Sequence, residues 1–291
     1  MNLPIWTVAK QISLQGRGLH SGQLVELRIF PRRDVPGFQF LRTDLPAGAP
    51  PVEVTDIDEN APPMRTVLKR GPTEVHTVEH LLSALVGMGI GAARIEVSGV
   101  EIPGLDGSAR DFVAAIAAAG TAETGLTQAV FHIREPIEVS RGSARVRVLP
   151  FAGFKISYSL YYEGHPLAQG SREIDFGAGF HPGAQPEGRT AYQRDIAPAR
   201  TFCMKTEAEM LRKAGFGKGA NAENTLIVEG DHVEGTTLRF PDEPVRHKIL
   251  DMIGDFATAG RAIAGQIVGE RSGHALNRLA AQRIREAAEK E

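Results

Sequence analysis

The chain has 291 residues, 42% hydrophobic and 23% charged, with a formal net charge of -2 at pH 7 and one cysteine, Cys203. These values suit a soluble globular protein large enough for two modest domains. They exclude an intrachain disulfide and give no electrostatic reason to expect a nucleic-acid partner. No apolar run reaches membrane-spanning length and residues 1–10 lack a signal-peptide pattern, so a cytoplasmic protein without a transmembrane segment is expected.

Taken in chain order, the first predicted elements are strands at 7–14 and 23–30, separated by Gly16, Gly18 and Gly22. Residues 31–63 are rich in Pro, Gly and Asp and read as loop with short strands. A helix follows at 77–89, where apolar residues recur at helical spacing and Thr77 can cap. Residues 92–98 read as a strand and 111–119 as an Ala-rich helix. The polar stretch 121–128, with Gly125, marks a domain boundary between 1–124 and 125–291.

Strands resume at 130–137, 144–149 and 155–162. A loop rich in Gly, Pro and Gln is predicted up to about Tyr192. Residues 207–213 form a short helix ended by Ala214 and Gly215. The strongest helix of the second half spans 243–262, and 275–290 is amphipathic and rich in Arg and Ala. The two central helices align without gaps: His80 falls on His247, Leu82 on Ile249, Leu85 on Met252, Val86 on Ile253 and Gly87 on Gly254. The expected fold class is therefore α+β. Two similar sheet-and-helix domains, from an internal duplication, place the matched helices at the cleft between them.

On the second of these helices His247, Asp251 and Asp255 are spaced i, i+4, i+8 and form one stripe. Lys248 lies about 100° round, and Val245, Ile249, Met252, Ile253 and Phe256 lie opposite. A His and a carboxylate at i, i+4 are roughly 5–6 Å apart at Cβ, which suits two ligands on one zinc. On the first helix Glu79, His80, Ser83 and Gly87 share a side and nearly everything else is apolar. Such a helix is buried, and an adjacent Glu-His pair inside it needs partners. Taken singly, each helix favours a plain alternative: a solvated face with i, i+4 ion pairs, or a hydrogen-bonded core histidine with Glu79 favoured by the helix dipole. Taken together they supply His80, His247 and Asp251 as three ligands with an open position, and Glu79 as a spare carboxylate able to take a proton from water.

His274 sits in a Gly-marked turn. It either caps a helix or, held charged by Asp255, faces a reacting carbonyl, and the pattern leaves both open. The segment Gly16-Arg-Gly-Leu-His-Ser-Gly22 lacks phosphate-loop spacing and reads as a strand turn, with His20 structural. Asp106 and Ser108 read as caps, and Cys203 has no His-Asp setting that would make it a nucleophile.

The ordered motifs carry a resemblance. Gly16-Arg-Gly-Leu-His-Ser-Gly22, Thr77-Val-Glu-His80, Asp106-Gly-Ser-Ala109, Ala199-Arg-Thr-Phe202, Arg239-Phe-Pro-Asp-Glu243, Arg246-His-Lys-Ile-Leu-Asp251, Ile253-Gly-Asp255 and Ser272-Gly-His-Ala-Leu-Asn277 span nearly the whole chain. In this order they resemble the zinc-dependent UDP-3-O-acyl-N-acetylglucosamine deacetylase family of lipid A biosynthesis. The resemblance implies two α+β halves with the active site between them. It implies a monomer that takes an acylated UDP-N-acetylglucosamine and releases the 2-amino sugar and acetate.

Residue by residue, it implies His80, His247 and Asp251 as ligands of zinc, a place ferrous iron could also take. Glu79 corresponds to the general base, His274 to the charged histidine acting as general acid or oxyanion partner, and Asp255 to its orienting carboxylate. Thr201 corresponds to the donor to the developing oxyanion, and Lys248 and Arg271 to substrate contacts, Arg271 toward the pyrophosphate. Phe202 opens the insert, around residues 202–225, that forms an acyl passage. Cys203, Gly104, Pro244 and the run Glu223-Asn-Thr225 depart from the family pattern without touching the metal set; those near Phe202 and Glu223 bear on acyl length. The alternative is a zinc amidase acting on another N-acetylated sugar nucleotide.

Overall fold

Residues with branched and aromatic side chains alternate with polar ones along much of the first half, and they pair into sheets. The structure, a computed structural model, describes residues 2–177 and 186–290. The first half contains β1 (Asn2–Val8), β2 (Ile12–Arg17), β3 (Leu24–Pro31), β4 (Gly37–Arg42), β5 (Val52–Glu53), β6 (Val67–Arg70), β7 (Thr73–His76), α1 (Glu79–Gly87), β8 (Ala92–Val97) and α2 (Arg110–Ala119). There follow β9 (Thr121–Ala129), β10 (Phe131–His132), β11 (Ile137–Arg141), β12 (Ala144–Leu149), β13 (Phe154–Tyr161), β14 (Gln169–Asp175), α3 (Pro186–Asp195), β15 (Thr201–Met204), α4 (Lys205–Lys213), β16 (Thr225–Glu229), β17 (His232–Val233), α5 (Glu243–Ala257), β18 (Ile263–Glu270) and α6 (His274–Ala288).

Two sheets repeat one topology. In the first the order is β2-β3-β8-β4-β5, and in the second β11-β12-β18-β13-β14, with β10 added beside β18. The strand directions match as well: β4 runs parallel to β8 and β13 parallel to β18, and the other neighbours along both orders are antiparallel. α1 precedes β8 as α5 precedes β18, so the aligned helices occupy equivalent places. They pack on each other, α5 also packs on β13, and a continuous apolar core joins both sheets through these helices. The fold is α+β, as the sequence predicts.

Several boundaries differ. The strand expected at 7–14 is two strands, because β1 pairs with β9 whereas β2 pairs with β3, and the chain must turn between sheets. The polar boundary stretch is the strand β9, and Thr124 Oγ1 donates to the Ile5 carbonyl at 2.9 Å. Extended structure at 130–137 is confined to β10 and the start of β11. The expected helix 243–262 ends at Ala257, where the chain turns through Gly260 at φ +75° and enters β18.

The loop expected up to Tyr192 contains β14 and α3. β14 is a polar edge strand and α3 buries only Gly188 and Tyr192, so neither shows a clear hydrophobic period; residues 178–185 of that loop lie outside the described residues. Thr77 does not cap α1. Its φ is 56°, its hydroxyl donates to Glu101 at 3.0 Å, and Val78 holds the N-cap position. His274 is the first residue of α6 rather than part of a free turn.

Candidate metal centre and active site

α1 is apolar on nearly every side, so all of it but the half-buried Val86 is buried, and it takes Glu79 and His80 into the interior with it. α5 is buried almost as fully, which removes the solvated-face alternative for His247, Asp251 and Asp255. The ligand atoms of His80, His247 and Asp251 all lie within 4.8 Å of one another. Asp251 Oδ1 stands 3.2 Å from His247 Nε2 and 3.7 Å from His80 Nε2. That oxygen is buried and has no hydrogen-bond partner. An orphaned carboxylate oxygen between two imidazole nitrogens is costly unless a cation joins them, so the donor set fits a metal ion.

The surroundings tune each donor. His247 Nδ1 donates to the Ala199 carbonyl at 3.0 Å, which orients the ring with Nε2 toward His80 and Asp251. Burial, with His247 beside it, pulls His80 down to about 3, so its ring is neutral. Burial alone would raise the Asp251 carboxyl, but His247, Lys248 and His274 hold it well below the usual carboxylate range. Lys248 Nζ binds Asp251 Oδ2 at 2.7 Å, so this residue braces a ligand carboxylate at the cleft wall.

Two further groups flank the centre. Glu79 Oε2 accepts the Thr66 amide at 3.0 Å, and burial pushes the carboxyl up to about 7 against the pull of His274. His274 lies 4.0 Å from Glu79 and 3.7 Å from Asp251 through Nε2. Its Nδ1 donates to Asp255 Oδ2 at 2.9 Å. Burial opposes its charge, but Asp255, Asp251 and Glu79 together raise it to about 9. Asp255 is fully buried and also accepts from Asn277 Nδ2 at 2.8 Å and Thr66 Oγ1 at 2.5 Å.

A cleft of about 740 Å³ opens over these groups, lined from the first half by Leu19, His20, Pro63 and Met64. Thr201, Phe202, Lys248, Arg271, His247, Asp251 and His274 all reach it, whereas Glu79, His80 and Asp255 lie behind its lining. Phe202 meets His247 edge-on, with ring centroids 6.3 Å apart, and the Arg271 guanidinium lies 4.5 Å from the Tyr161 ring centroid. The segment 202–225 contributes α4 and an apolar wall that includes Leu211 and Phe216. Cys203 also lines the cleft as a thiol that burial pushes up to about 11, which fits its expected lack of nucleophilic character.

Sequence reasoning treated His20 as structural, yet its ring lines the cleft while Glu101 clamps the His20 and Ser21 amides at 2.9 and 2.7 Å. Thr66 was missed altogether; it joins Glu79 and Asp255, which are 13 and 189 residues away in the chain. Asn277, the last residue of the Ser272–Asn277 motif, carries no mark of function in the sequence, yet its Nδ2 donates to Asp255. Asp106 and Ser108 precede the N-cap of α2, which is Ala109, rather than holding it: Ser108 Oγ accepts the Arg110 amide at 3.1 Å and donates to Asp106 at 2.7 Å, and Asp106 also accepts Arg239 Nη1 at 2.8 Å.

A model of the family described as LpxC, UDP-3-O-acyl N-acetylglycosamine deacetylase, matches residues 6–286. The chain belongs to this deacetylase family. It is 37% identical over 282 residues to the UDP-3-O-acyl-N-acetylglucosamine deacetylase of Anaeromyxobacter dehalogenans (strain 2CP-C), covering 96% of this chain and 86% of that protein. Identity to the namesake from Myxococcus xanthus (strain DK1622) is 38%, over 96% of this chain and 85% of that protein. For that of Nostoc sp. (strain PCC 7120 / SAG 25.82 / UTEX 2576) it is also 38%, over 96% and 97%. No helix among the described residues is long and apolar enough to cross a membrane.

Proposed function

We propose that this chain hydrolyses the 2-acetamido group of UDP-3-O-[(R)-3-hydroxyacyl]-N-acetylglucosamine, releasing acetate, as the committed step of lipid A biosynthesis in the cytoplasm. The observation that carries the reading is the orphaned Asp251 oxygen between two imidazoles, with Glu79 and His274 beside it beneath an apolar-walled cleft. Zinc is the resident metal in this reading, held by His80, His247 and Asp251, where two nitrogens and a carboxylate with an open position suit catalytic zinc. Bound there, it supplies a Lewis acid that polarises the amide carbonyl and acidifies water.

The chain's own groups do the rest. Glu79 takes a proton from the attacking water, and its burial keeps it basic enough to do so near neutral pH. Charged His274, oriented through Nδ1 by Asp255, and the Thr201 hydroxyl donate to the developing oxyanion. A proton then passes to the departing amine from Glu79 or His274, which stand 4.0 Å apart. Lys248, beside Asp251, contacts the substrate, Arg271 faces the nucleotide diphosphate, and Phe202 begins the passage for the acyl chain. Residues 1–124 and 125–291 are the two domains of this reading, supported by their repeated sheet topology.

The test is metal analysis joined to an acetate-release assay on the acylated UDP-sugar, with and without chelator. Zinc-dependent turnover at least tenfold above that of unacylated UDP-N-acetylglucosamine is expected. Equal rates on the two sugars would refute the lipid A assignment in favour of a broader N-acetyl sugar amidase.

A further inference from the structure

Arg65 is 8% exposed, yet its Nε is buried without a partner, and its guanidinium makes no ion pair or hydrogen bond among the described residues. Other buried arginines of this fold are matched: Arg200 bonds Glu243 at 2.9 Å and Arg32 bonds Glu53 at 3.0 Å. The Arg65 main chain is itself fixed, since its carbonyl accepts Arg278 Nη1 at 2.6 Å. A largely buried guanidinium whose Nε has no partner is costly, and such a group is kept where a ligand completes it.

Arg65 stands directly behind the cleft lining, next to Met64 and Phe216, which belong to it. The Arg65 guanidinium carbon lies 5.6 Å from the Phe216 ring centroid, and His20 meets the same ring edge-on at 5.8 Å. Phe216, His20 and the neighbouring Met64 line the cleft that holds His274. His20 Nδ1 is likewise buried without a partner. Burial first, and then Arg65 and His274 against the pull of Glu101, hold His20 below its usual value.

We propose that Arg65 is an oxyanion-binding residue of the cleft, receiving a phosphoryl or carboxylate group of the substrate or product. The planar guanidinium fork matches both groups. This rests on the proposed function, under which the substrate brings a diphosphate and the reaction releases a carboxylate.

The test measures UDP and acetate binding to the metal-loaded protein by calorimetry and by competition, with uridine as a neutral control. Arg65→Met keeps a stem over Phe216 and removes the fork; Arg65→Lys keeps the charge. We expect Arg65→Met to weaken UDP or acetate by roughly tenfold or more, Arg65→Lys to recover part of it, and uridine to be unchanged. A loss confined to UDP identifies the diphosphate, and one confined to acetate identifies the carboxylate product. Unchanged affinity for both anions at an unchanged Tm overturns the proposal, as does an equal loss of uridine, which would assign Arg65 to packing. If Arg65→Met fails to fold, Arg65→Lys carries the test: a point charge that binds both anions as well as wild type does overturns a bidentate site. Turnover of the acylated sugar by the wild type is read in parallel. Its absence together with an Arg65-dependent anion affinity removes the functional reading while leaving the anion site standing.

Discussion

Gly254 of α5 lies against the main chain of Glu79 in α1: a Cβ at position 254 would stand 2.0 Å from the Glu79 carbonyl oxygen. That contact sets how closely the two helices cross, and hence how near Glu79 and His80 come to His247 and Asp251. Gly254→Ala must push the helices apart, at about 1–3 kcal/mol for overpacking. We expect a lower Tm together with loss of bound metal and of kcat. A variant that melts lower but keeps full metal stoichiometry and kcat would show that the crossing does not set the site. Gly87, the aligned residue of α1, meets a different neighbour, the Tyr192 ring, and Gly87→Ala is expected to disturb α3 first.

The metal set predicts its own removal. Asp251→Asn keeps the shape of the side chain but removes the anionic donor. The expected loss of metal affinity exceeds the roughly 10–100-fold loss typical of mutating groups one step behind a ligand. Chelation should lower Tm, since metal at about 100 times its Kd adds about 2.7 kcal/mol to the folded state. Melting curves with chelator and with zinc restored measure this; no change in Tm on metal removal contradicts the site.

The pH dependence follows from Glu79 and His274. Glu79, at about 7, must be a carboxylate to accept a proton, so kcat/KM rises as pH climbs toward that value; a cation nearby favours the carboxylate and draws this limb lower. His274, raised from 6.5 to about 9, must be charged, so activity falls as pH rises through about 9. The same raised value means its charged form contributes stability in full below pH 6.5, and that contribution is lost as pH rises through about 9. Asp255→Asn removes the largest charge supporting His274, and the alkaline limb should move down. An alkaline limb that stays in place in this variant would show that His274 does not control it.

Thr66 offers a test of the second layer. Thr66→Val removes the hydroxyl from Asp255 but leaves the amide bond to Glu79. A hydrogen bond to a charged group contributes about 1.5–3 kcal/mol, so denaturant melts should show a loss of that order. kcat should fall with it, through a less well-held His274. Unchanged stability would show that solvent or Asn277 replaces the hydroxyl at no cost.

Much of the candidate site was legible because its residues are unusual where they stand. Glu79 and His80 interrupt an otherwise apolar helix, and His247, Asp251 and Asp255 keep a strict i, i+4, i+8 spacing. Thr66, Glu101 and the Ala199 carbonyl carried no such mark, since a hydroxyl or a main-chain oxygen becomes functional only through the atom it meets. The same holds for β14 and β9: both are polar strands whose pairing, not their composition, makes them extended.

What this sequence determined by itself was the α+β order of elements, the equivalence of α1 and α5, and the identity of the groups able to hold a metal. Those are properties of local period and side-chain chemistry. Only the tertiary structure decided between a solvated stripe and a buried centre, because burial depends on what the rest of the chain lays over α5. Proximity decided the remainder: Asp251 became an orphaned ligand, His274 a retained cation and Arg65 an unmatched one when groups far apart in the chain were desolvated together.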